Sequence, residues 1–425
     1  MTPRENMLAI LNGEPFESVP IWIMGFENED LARRLVPEVQ FIDSMFHNPE
    51  KFNYPWDRLP DDERNRAINY NKAILKPLTV VGWGANMALG HGGPGEFHFN
   101  IIEINENERI LECETGCKRL VQKNPHFYRD FDYPLKTVDD VDSLELPDPR
   151  DPERYNGFEE DTAFFKNTGY MTAANLNGFF SGPHYFCIDY QEFLMSILLD
   201  PLNTKKLIDR VGEWNMAAAE EMLKRGTECI VLCDDLGSAD NLLMSPDIYC
   251  EWIQPWHKKL CGLAHDFKAY VHLHSHGNIN KILPSVLETE VDMLDPFDIY
   301  ESMDLVSFLE TGASKTIPVG GCHKFFFEWD VQKQNDYLTD LFKRWKDGSF
   351  WCNSMPGTLY KFWPDTRKTE VITHLWADQT YAPRIAMSED GKYIYYVPNL
   401  VQTYSYYQPV MQFNTETRTR KVIAF

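Results

Sequence analysis

Three histidines occupy alternate positions in one short stretch of the chain. They are His272, His274 and His276 in "VHLHSHGN" (residues 271–278), although the 425 residues hold only 12 histidines. Side chains alternate between the two faces of a β-strand, so a strand here predicts that all three imidazoles point to one side. Imidazoles two positions apart can bind one metal ion or act as acid and base, which makes this stretch a candidate reactive centre.

Other polar side chains follow the ends of neighbouring predicted strands. If these strands form a (β/α)8 barrel, their C-terminal ends meet at the face where such barrels place their active sites. Residues far apart in sequence would then converge. The candidates are Asp234 and Asp235 after "IVLC", Asn278 after the histidines, Asp295 after "VDML", and His323 after "PVGG".

The neighbouring carboxylates Asp234 and Asp235 point to opposite sides of a strand, so we expect only one of them in the site. Asp235 shares its face with Val231 and Cys233, whose small side chains suit a crowded barrel interior. We therefore favour Asp235 over Asp234 as the catalytic carboxylate, with Asn278 as a further catalytic candidate. The structural alternative is an N-cap role in the loop "DDLGS".

The histidines carry a second prediction, a metal centre. We expect His274 and His276 to be ligands, with His323 or Asp235 completing the shell and nearby carboxylates orienting the imidazoles. The alternative is that these histidines hold a loop through hydrogen bonds, and for the deeper His272 this structural role is favoured. Asp295 is a candidate substrate-binding residue or a turn residue. Four aromatic residues are candidates for an apolar substrate pocket: Trp22, Phe26, Phe179 and Phe180.

Eight short runs rich in β-branched and aromatic residues alternate with amphipathic stretches. Most are continuously apolar, as expected for strands of a parallel sheet that is covered on both faces. In the stretch 203–225, apolar residues recur every three or four positions and predict one buried helical stripe: Leu207, Val211, Trp214, Ala218 and Met222. Pro255 predicts a kink or break in the next helix. The strands are predicted at 19–25, 78–84, 169–176, 228–233, 269–275, 291–297, 316–321 and 349–354.

This α/β pattern predicts a (β/α)8 TIM barrel, with an open doubly wound sheet as the alternative. No strand is followed by G-x-G-x-x-G, so a dinucleotide-binding fold has no support. Residues 97–123 alternate apolar and polar side chains and predict a β-hairpin inserted after the second barrel strand. The stretch 358–425 predicts antiparallel strands with turns at Asp390–Gly391 and Thr415–Thr417, the pattern of a β-propeller blade. The predicted domains are thus a barrel over 1–357 and a β-rich tail over 358–425.

The amino-acid composition and the net charge limit the kinds of partner and the location that we expect for this protein. Lys and Arg total 41 and Asp and Glu total 64, so the formal net charge is −23, which disfavours nucleic acid. No run of 18 apolar residues predicts a membrane span, and the first residues lack the layout of a secretory signal. Nine scattered cysteines without a disulfide framework favour a cytoplasmic location.

Several spaced blocks resemble the uroporphyrinogen decarboxylase superfamily. They are "TPRENMLAILNGEPFESVPIW" at the N-terminus, "YPLKTVDDVDSLELPDP" (133–149), "CDDLGSADNLLMSPDIYCEWIQPWHKKL" (233–260) and "HSHGNINKILPSVLETEVDMLDPF" (274–297). The resemblance covers about residues 1–356 and implies a (β/α)8 barrel. True uroporphyrinogen decarboxylases carry an arginine-rich stretch after the first strand, where this chain reads "MGFENEDLARRL".

The chain is more similar to the cobalamin-dependent methyltransferase members of the superfamily. These members hold zinc through an H-x-C motif on the strand that here carries His274, together with a distant cysteine. In this chain His276 stands in the place of the motif's cysteine, and His323 stands where the superfamily often has aspartate. Both departures imply a site that is richer in nitrogen than the family's zinc site.

The resemblance therefore implies an enzyme that transfers a methyl group between a small O-, N- or S-methylated substrate and the corrinoid (cobalamin) of a partner protein, with assistance from zinc. A metal-independent carboxy-lyase that resembles uroporphyrinogen decarboxylase is the second hypothesis. The third is a non-catalytic scaffold that uses the β-rich tail. A second copy of the chain, in a homodimer, is a further candidate partner.

Overall fold

The computed structural model describes two compact units of the chain. The first comprises residues 1–297, 301–303 and 313–319, and the second comprises residues 298–300, 304–312 and 320–425. The predicted domain boundary at 357/358 stays a prediction. Within these units the described residues are 1–16, 93–94, 99–106, 108–122, 127–155, 158–167, 169–310, 315–321, 323, 329–344, 358–363, 368–374, 385–387, 393–396, 410–414 and 420–424.

A five-stranded sheet forms the centre of the first unit, and its strands are neighbours in chain order. Three of its four strand pairs are parallel, and the fifth strand is joined to its neighbour by the hydrogen bond from Ile317 N–H to Asp292 O. The sheet accounts for five of the eight predicted barrel strands; those at 19–25, 78–84 and 349–354 lie outside the described residues. The strands are β5 (Ala173–Asn177), β6 (Cys229–Cys233), β7 (Tyr270–His274), β8 (Met293–Phe297) and β9 (Ile317–Gly320).

Strand register decides which side chains share a level of the sheet. One row aligns Val231 with His272 and His272 with Met293, and the last row aligns Asn177, Cys233, His274 and Asp295. Val231 and Met293 belong to one buried apolar cluster that also includes Met7 from the N-terminal helix. The face of β6 that carries Val231 and Cys233 therefore lines the shared interior, and the last row brings a histidine beside an aspartate.

Most of the α-helices lie between the strands of this sheet in sequence. The predicted stripe of 203–225 is confirmed, because its five residues are at most 6% exposed. A π-helix (Tyr249–Ile253) directly precedes the helix that contains Pro255; proline has no N–H for the carbonyl four residues earlier, which interrupts the regular helix as predicted. The α-helices are α1 (Pro3–Leu11), α2 (Phe158–Asn167), α3 (Ser181–Phe186), α4 (Tyr190–Leu199), α5 (Pro201–Lys224), α6 (Pro246–Ile248), α7 (Gln254–Asp266), α8 (Leu283–Leu287), α9 (Leu305–Glu310) and α10 (Val331–Arg344).

The inserted segment is larger than the predicted hairpin. It forms a four-stranded antiparallel sheet of β1 (Phe99–Asn105), β2 (Glu108–Cys113), β3 (Lys118–Gln122) and β4 (Phe127–Phe131), paired in chain order. Arg119 Nε lies 2.7 Å from Asp130 Oδ1 across the last pair, and both side chains are largely buried. This ion pair joins β3 to β4, which lies beyond the predicted 97–123 segment.

The tail contains two antiparallel sheets. The first pairs β10 (Thr358–Trp363) with β11 (Lys368–His374). The second contains β12 (Ile385–Met387), β13 (Tyr393–Tyr396), β14 (Val410–Asn414) and β15 (Arg420–Ala424) in chain order. The predicted turns at 390–391 and 415–417 fall between paired strands. Four antiparallel strands in sequence are also the form of a propeller blade, and that assignment stays a prediction.

Candidate active site

Asp295 lies between two histidines of the neighbouring strand. Its Oδ1 is 2.6 Å from His272 Nε2, and its Oδ2 is 3.1 Å from His274 Nδ1. Burial alone would raise the pKa of Asp295, but the charge of His272 and the contacts with both imidazoles hold this pKa well below its usual range. Asp295 is thus an orienting carboxylate for the histidines of β7, whereas the sequence predicted a substrate-binding or turn residue.

His276 lies beyond the end of β7 and has a carboxylate partner of its own. Its Nδ1 is 3.1 Å from Glu301 Oε1, and the other Glu301 oxygen accepts a 2.9 Å hydrogen bond from Gly277 N–H. The side chain of His276 is 54% exposed and that of Glu301 is 9% exposed. A buried carboxylate therefore anchors an imidazole that faces solvent.

The rings of His274 and His276 lie close together at the end of β7. Their centroids are 4.9 Å apart with an interplanar angle of 85°. Burial lowers the pKa of His274, but the hydrogen bond and charge of Asp295, together with the charges of Asp235 and Glu301, outweigh it and raise this pKa. The result is a pair of adjacent imidazoles, each with its Nδ1 atom next to a carboxylate.

Asp235 is half-buried and lies beside His276, in the group formed by the two histidines and their carboxylates. Its Oδ1 accepts a 2.8 Å hydrogen bond from the backbone N–H of His276. The loops that follow β6 and β7 also approach closely, since Asn278 N–H donates to Ser238 O at 2.8 Å. Gly277 has φ +93°, and a Cβ there would lie 2.2 Å from the carbonyl carbon of Gly237. Only glycine fits at this position, because any side chain would collide with the backbone of Gly237. The close approach of the two loops places His276 next to Asp235.

Asp234 has a structural role on the opposite side of β6. Its carboxylate accepts hydrogen bonds from three backbone N–H groups at the start of α3, those of Phe179, Phe180 and Ser181. It also lies 2.9 Å from His257 Nε2, and His257 Nδ1 lies 3.2 Å from the hydroxyl of Tyr249. Asp234 is fully buried. It caps a helix of another βα unit, which is the structural alternative considered for "DDLGS" in a longer-range form.

Phe179 and Phe180, two of the predicted substrate-pocket residues, and Asn278 have structural roles in the described part of the chain. The rings of Phe179 and Phe180 are fully buried, stacked on Trp256 and tilted against Phe193, so they are core residues where a pocket lining was predicted. The side chain of Asn278 accepts hydrogen bonds from Asn280 and holds the turn. Trp22 and Phe26 lie outside the described residues.

His323 belongs to the second unit. Its ring centroid is 4.4 Å from that of Trp329 and 5.7 Å from that of Tyr300. Burial, assisted by the charge of Lys333, lowers the pKa of His323 despite the opposing charge of Asp298. A site shared with His274 and His276 stays a prediction.

The described residues show whether enough side chains lie together to bind the predicted zinc ion. There, no group of three or more His, Cys, Asp or Glu side chains is arranged to hold a metal ion. Catalytic zinc sites use three protein ligands, whereas His274 and His276 supply two. These two residues alone therefore do not fit a zinc site.

Three residues of the site environment were not predicted from the sequence: Glu301, His257 and Tyr249. Glu301 follows β8 in "FDIYES" and has no spacing signal that links it to His276. The only available signal was its position after a predicted strand. His257 and Tyr249 lie on predicted helical sequence, where their periodicity indicates burial and nothing more.

Comparison with known proteins shows a similarity to one family over part of the chain. Residues 123–312 match the family model described as uroporphyrinogen decarboxylase (URO-D). This part of the chain is similar to the uroporphyrinogen decarboxylase family. The match includes the middle linker and the two later blocks, with Asp235, His274, His276 and Glu301 inside it. No curated protein matches the chain.

A solved structure supports the same fold. The chain is similar to a methyltransferase from Methanosarcina mazei, with a TM-score of 0.55 and 16% sequence identity over 81% of this chain and 90% of that one. At this identity the likeness concerns the fold. With the URO-D match and the five parallel strands, it indicates an α/β fold of the TIM-barrel type. Among the described residues, no helix is both long and apolar enough to cross a membrane.

Proposed function

We propose that the protein is a methyltransferase that moves a methyl group between a small methylated substrate and the corrinoid of a partner protein. The observation that carries the proposal is the pair of imidazoles at the end of β7, His274 and His276, with ring centroids 4.9 Å apart and a carboxylate on the Nδ1 side of each. The methyltransferase name of the M. mazei structure supports it. We further propose that the predicted strands at 19–25, 78–84 and 349–354 complete an eight-stranded barrel around this site.

The two imidazoles have a defined task in this reaction. With Nδ1 of His274 directed to Asp295, its Nε2 is the atom left to contact the substrate's heteroatom. The neighbouring carboxylates raise the pKa of His274 and so favour its protonated ring, in which Nε2–H can donate a hydrogen bond to that heteroatom and make it a better leaving group as the bond to the methyl carbon breaks. The cobalamin of the partner protein would supply the nucleophile that takes the methyl group. Asp235 holds the backbone of His276 and so keeps the second imidazole beside the first.

The negative charge of the site affects which substrates it can bind. Carboxylates at positions 235, 295 and 301 surround the two histidines, and among the described residues they contact histidine rings and backbone N–H groups. These carboxylates would repel an octa-carboxylate such as a uroporphyrinogen. Recognition of such a substrate depends on arginine side chains, which bind carboxylates through two parallel hydrogen bonds. A small neutral or cationic methylated compound suits these surroundings better.

Methyl transfer to free cob(I)alamin, followed by its absorbance, tests the proposal with a panel of O-, N- and S-methylated donors. We expect turnover by the wild-type protein and a large loss of kcat in His274→Ala and His276→Ala. His265→Ala is the matched control, because His265 lies on the exposed end of α7 and contacts Asp292. Failure of the wild type with every donor, together with release of CO2 from a porphyrinogen, would favour the carboxy-lyase.

Zinc is tested separately, by metal analysis of the purified protein. Bound zinc that is lost in His274→Ala and His276→Ala supports the predicted metal centre, completed by ligands from outside the described residues. A folded protein that binds no zinc counts against that centre. If both enzyme assays fail and a partner is retained only by the full-length chain and not by residues 1–357, the scaffold hypothesis gains support.

A further inference from the structure

We propose that Glu301 is a positioning residue that fixes the ring orientation and tautomer of His276. Its two carboxylate oxygens have separate partners, His276 Nδ1 at 3.1 Å and Gly277 N–H at 2.9 Å. The carboxylate thus grips the ring and the adjacent backbone at once. It lies 25 residues after His276 in the chain, so only the fold brings the two together.

The chemistry of a carboxylate determines the tautomer. Carboxylate oxygens accept hydrogen bonds, so the nitrogen of His276 that faces Glu301 must carry the hydrogen. In the neutral ring this leaves the lone pair on Nε2. Asp295 imposes the same arrangement on His274, whose Nδ1 lies 3.1 Å from Asp295 Oδ2. Both imidazoles therefore present the same kind of nitrogen away from their carboxylates.

His276 needs such a partner more than His274 does. His274 is the last residue of β7 and its side chain is 14% exposed, whereas His276 lies in a loop and is 54% exposed. An exposed imidazole samples several rotamers and both tautomers unless a partner holds it, and carboxylates behind functional histidines commonly provide that restraint. Glu301 limits His276 to one arrangement. The consequence for catalysis rests on the proposed methyl transfer.

The tautomer can be measured without any activity assay, by nitrogen-15 NMR of ring-labelled histidine in the full-length protein. We expect Nδ1–H to dominate at His276 in the wild type. In Glu301→Gln, one amide oxygen must serve two donors, and in Glu301→Ala none remains, so the Nε2–H form should gain population in that order. Glu288→Gln is the matched control, since this glutamate is exposed and accepts a hydrogen bond from the side-chain amide of Gln254.

Thermal unfolding of each variant shows whether it is folded, and Glu301→Gln remains informative if Glu301→Ala is not. Unchanged tautomer populations in the folded variants overturn the proposal. With an active wild type we expect about a tenfold lower kcat for Glu301→Gln at a nearly constant KM, in line with the effect of removing groups that orient functional histidines. A shifted tautomer in a protein without methyl transfer activity would support the positioning role and count against the proposed function.

Discussion

Asp234 Oδ2 lies 2.9 Å from His257 Nε2, and both side chains are withdrawn from solvent. The same carboxylate accepts hydrogen bonds from the first backbone N–H groups of α3. It therefore joins the end of β6 to two helices, α3 and α7. Of the two adjacent aspartates, Asp235 is the one that contacts the histidine pair, through the backbone N–H of His276.

Asp234→Asn should destabilise the protein strongly. The asparagine amide keeps one oxygen for three N–H donors and turns its NH2 group towards some of them. Loss of a buried charged partner costs about 3–5 kcal/mol in comparable networks. Urea unfolding measures the effect against Asp240→Asn, an exposed control, and a difference below about 1 kcal/mol between the two variants would show that the network contributes little.

Two glycine-to-alanine changes should have opposite effects. Gly277 has φ +93° and no room for a Cβ, so Gly277→Ala should cost about 1–3 kcal/mol and displace the loop that carries His276. Gly262 lies within α7 with no atom within 4 Å of its Cβ position, so Gly262→Ala should stabilise the helix by up to about 1 kcal/mol. Unfolding curves of the two variants side by side test the close contact between the loops.

Replacement of Phe179 separates a core role from a pocket role. Because the ring is fully buried and stacked on Trp256 at 5.7 Å, Phe179→Ala should cost about 3–5 kcal/mol of unfolding free energy and Phe179→Leu clearly less. Phe267, 41% exposed at the end of α7, is the control for loss of a phenyl ring. A stable Phe179→Ala variant with a raised KM would instead support the predicted pocket.

His184 should make stability depend on pH. Burial among aromatic rings lowers the pKa of His184 to about 4 from the ordinary 6.5, although the charges of Asp234 and Asp189 oppose the shift. Between these values the unfolded chain binds a proton that the folded protein does not bind. The unfolding free energy should therefore fall as the pH decreases from 6.5 to about 4 and change little from this group below that.

Denaturant midpoints at pH 7, 5 and 4 measure this dependence. The variant His184→Phe keeps an aromatic ring against Tyr185, Tyr190 and Phe193 but has no titrating group. Its midpoints should fall less than those of the wild type over the same range. Parallel curves for the two proteins would assign the acid sensitivity to other groups.

The helices and strands that could be predicted well are those with a clear pattern of residue types within one short stretch of the sequence. Five barrel strands appear near their predicted positions because continuous β-branched and apolar runs suit a sheet that is buried on both faces. The α5 stripe and the interruption before Pro255 follow from helical periodicity and from a missing N–H. The inserted sheet was underestimated, since its fourth strand, "FYRDF", is short and contains two charged residues, one of which, Asp130, pairs with Arg119 of the neighbouring strand.

The sequence by itself predicted an α/β fold, a resemblance to the uroporphyrinogen decarboxylase superfamily and the histidine pair at the end of β7, because apolar runs, sequence blocks and the alternation of side chains along a strand are visible in the residues alone. The tertiary structure decided the role of each polar residue. It placed Asp234 beneath α3, Asp235 against the backbone of His276, Asp295 between His272 and His274, and Glu301 behind His276. These roles depend on which loops meet at the sheet's edge, and the contacts between residues distant in the chain arise only when the strands align.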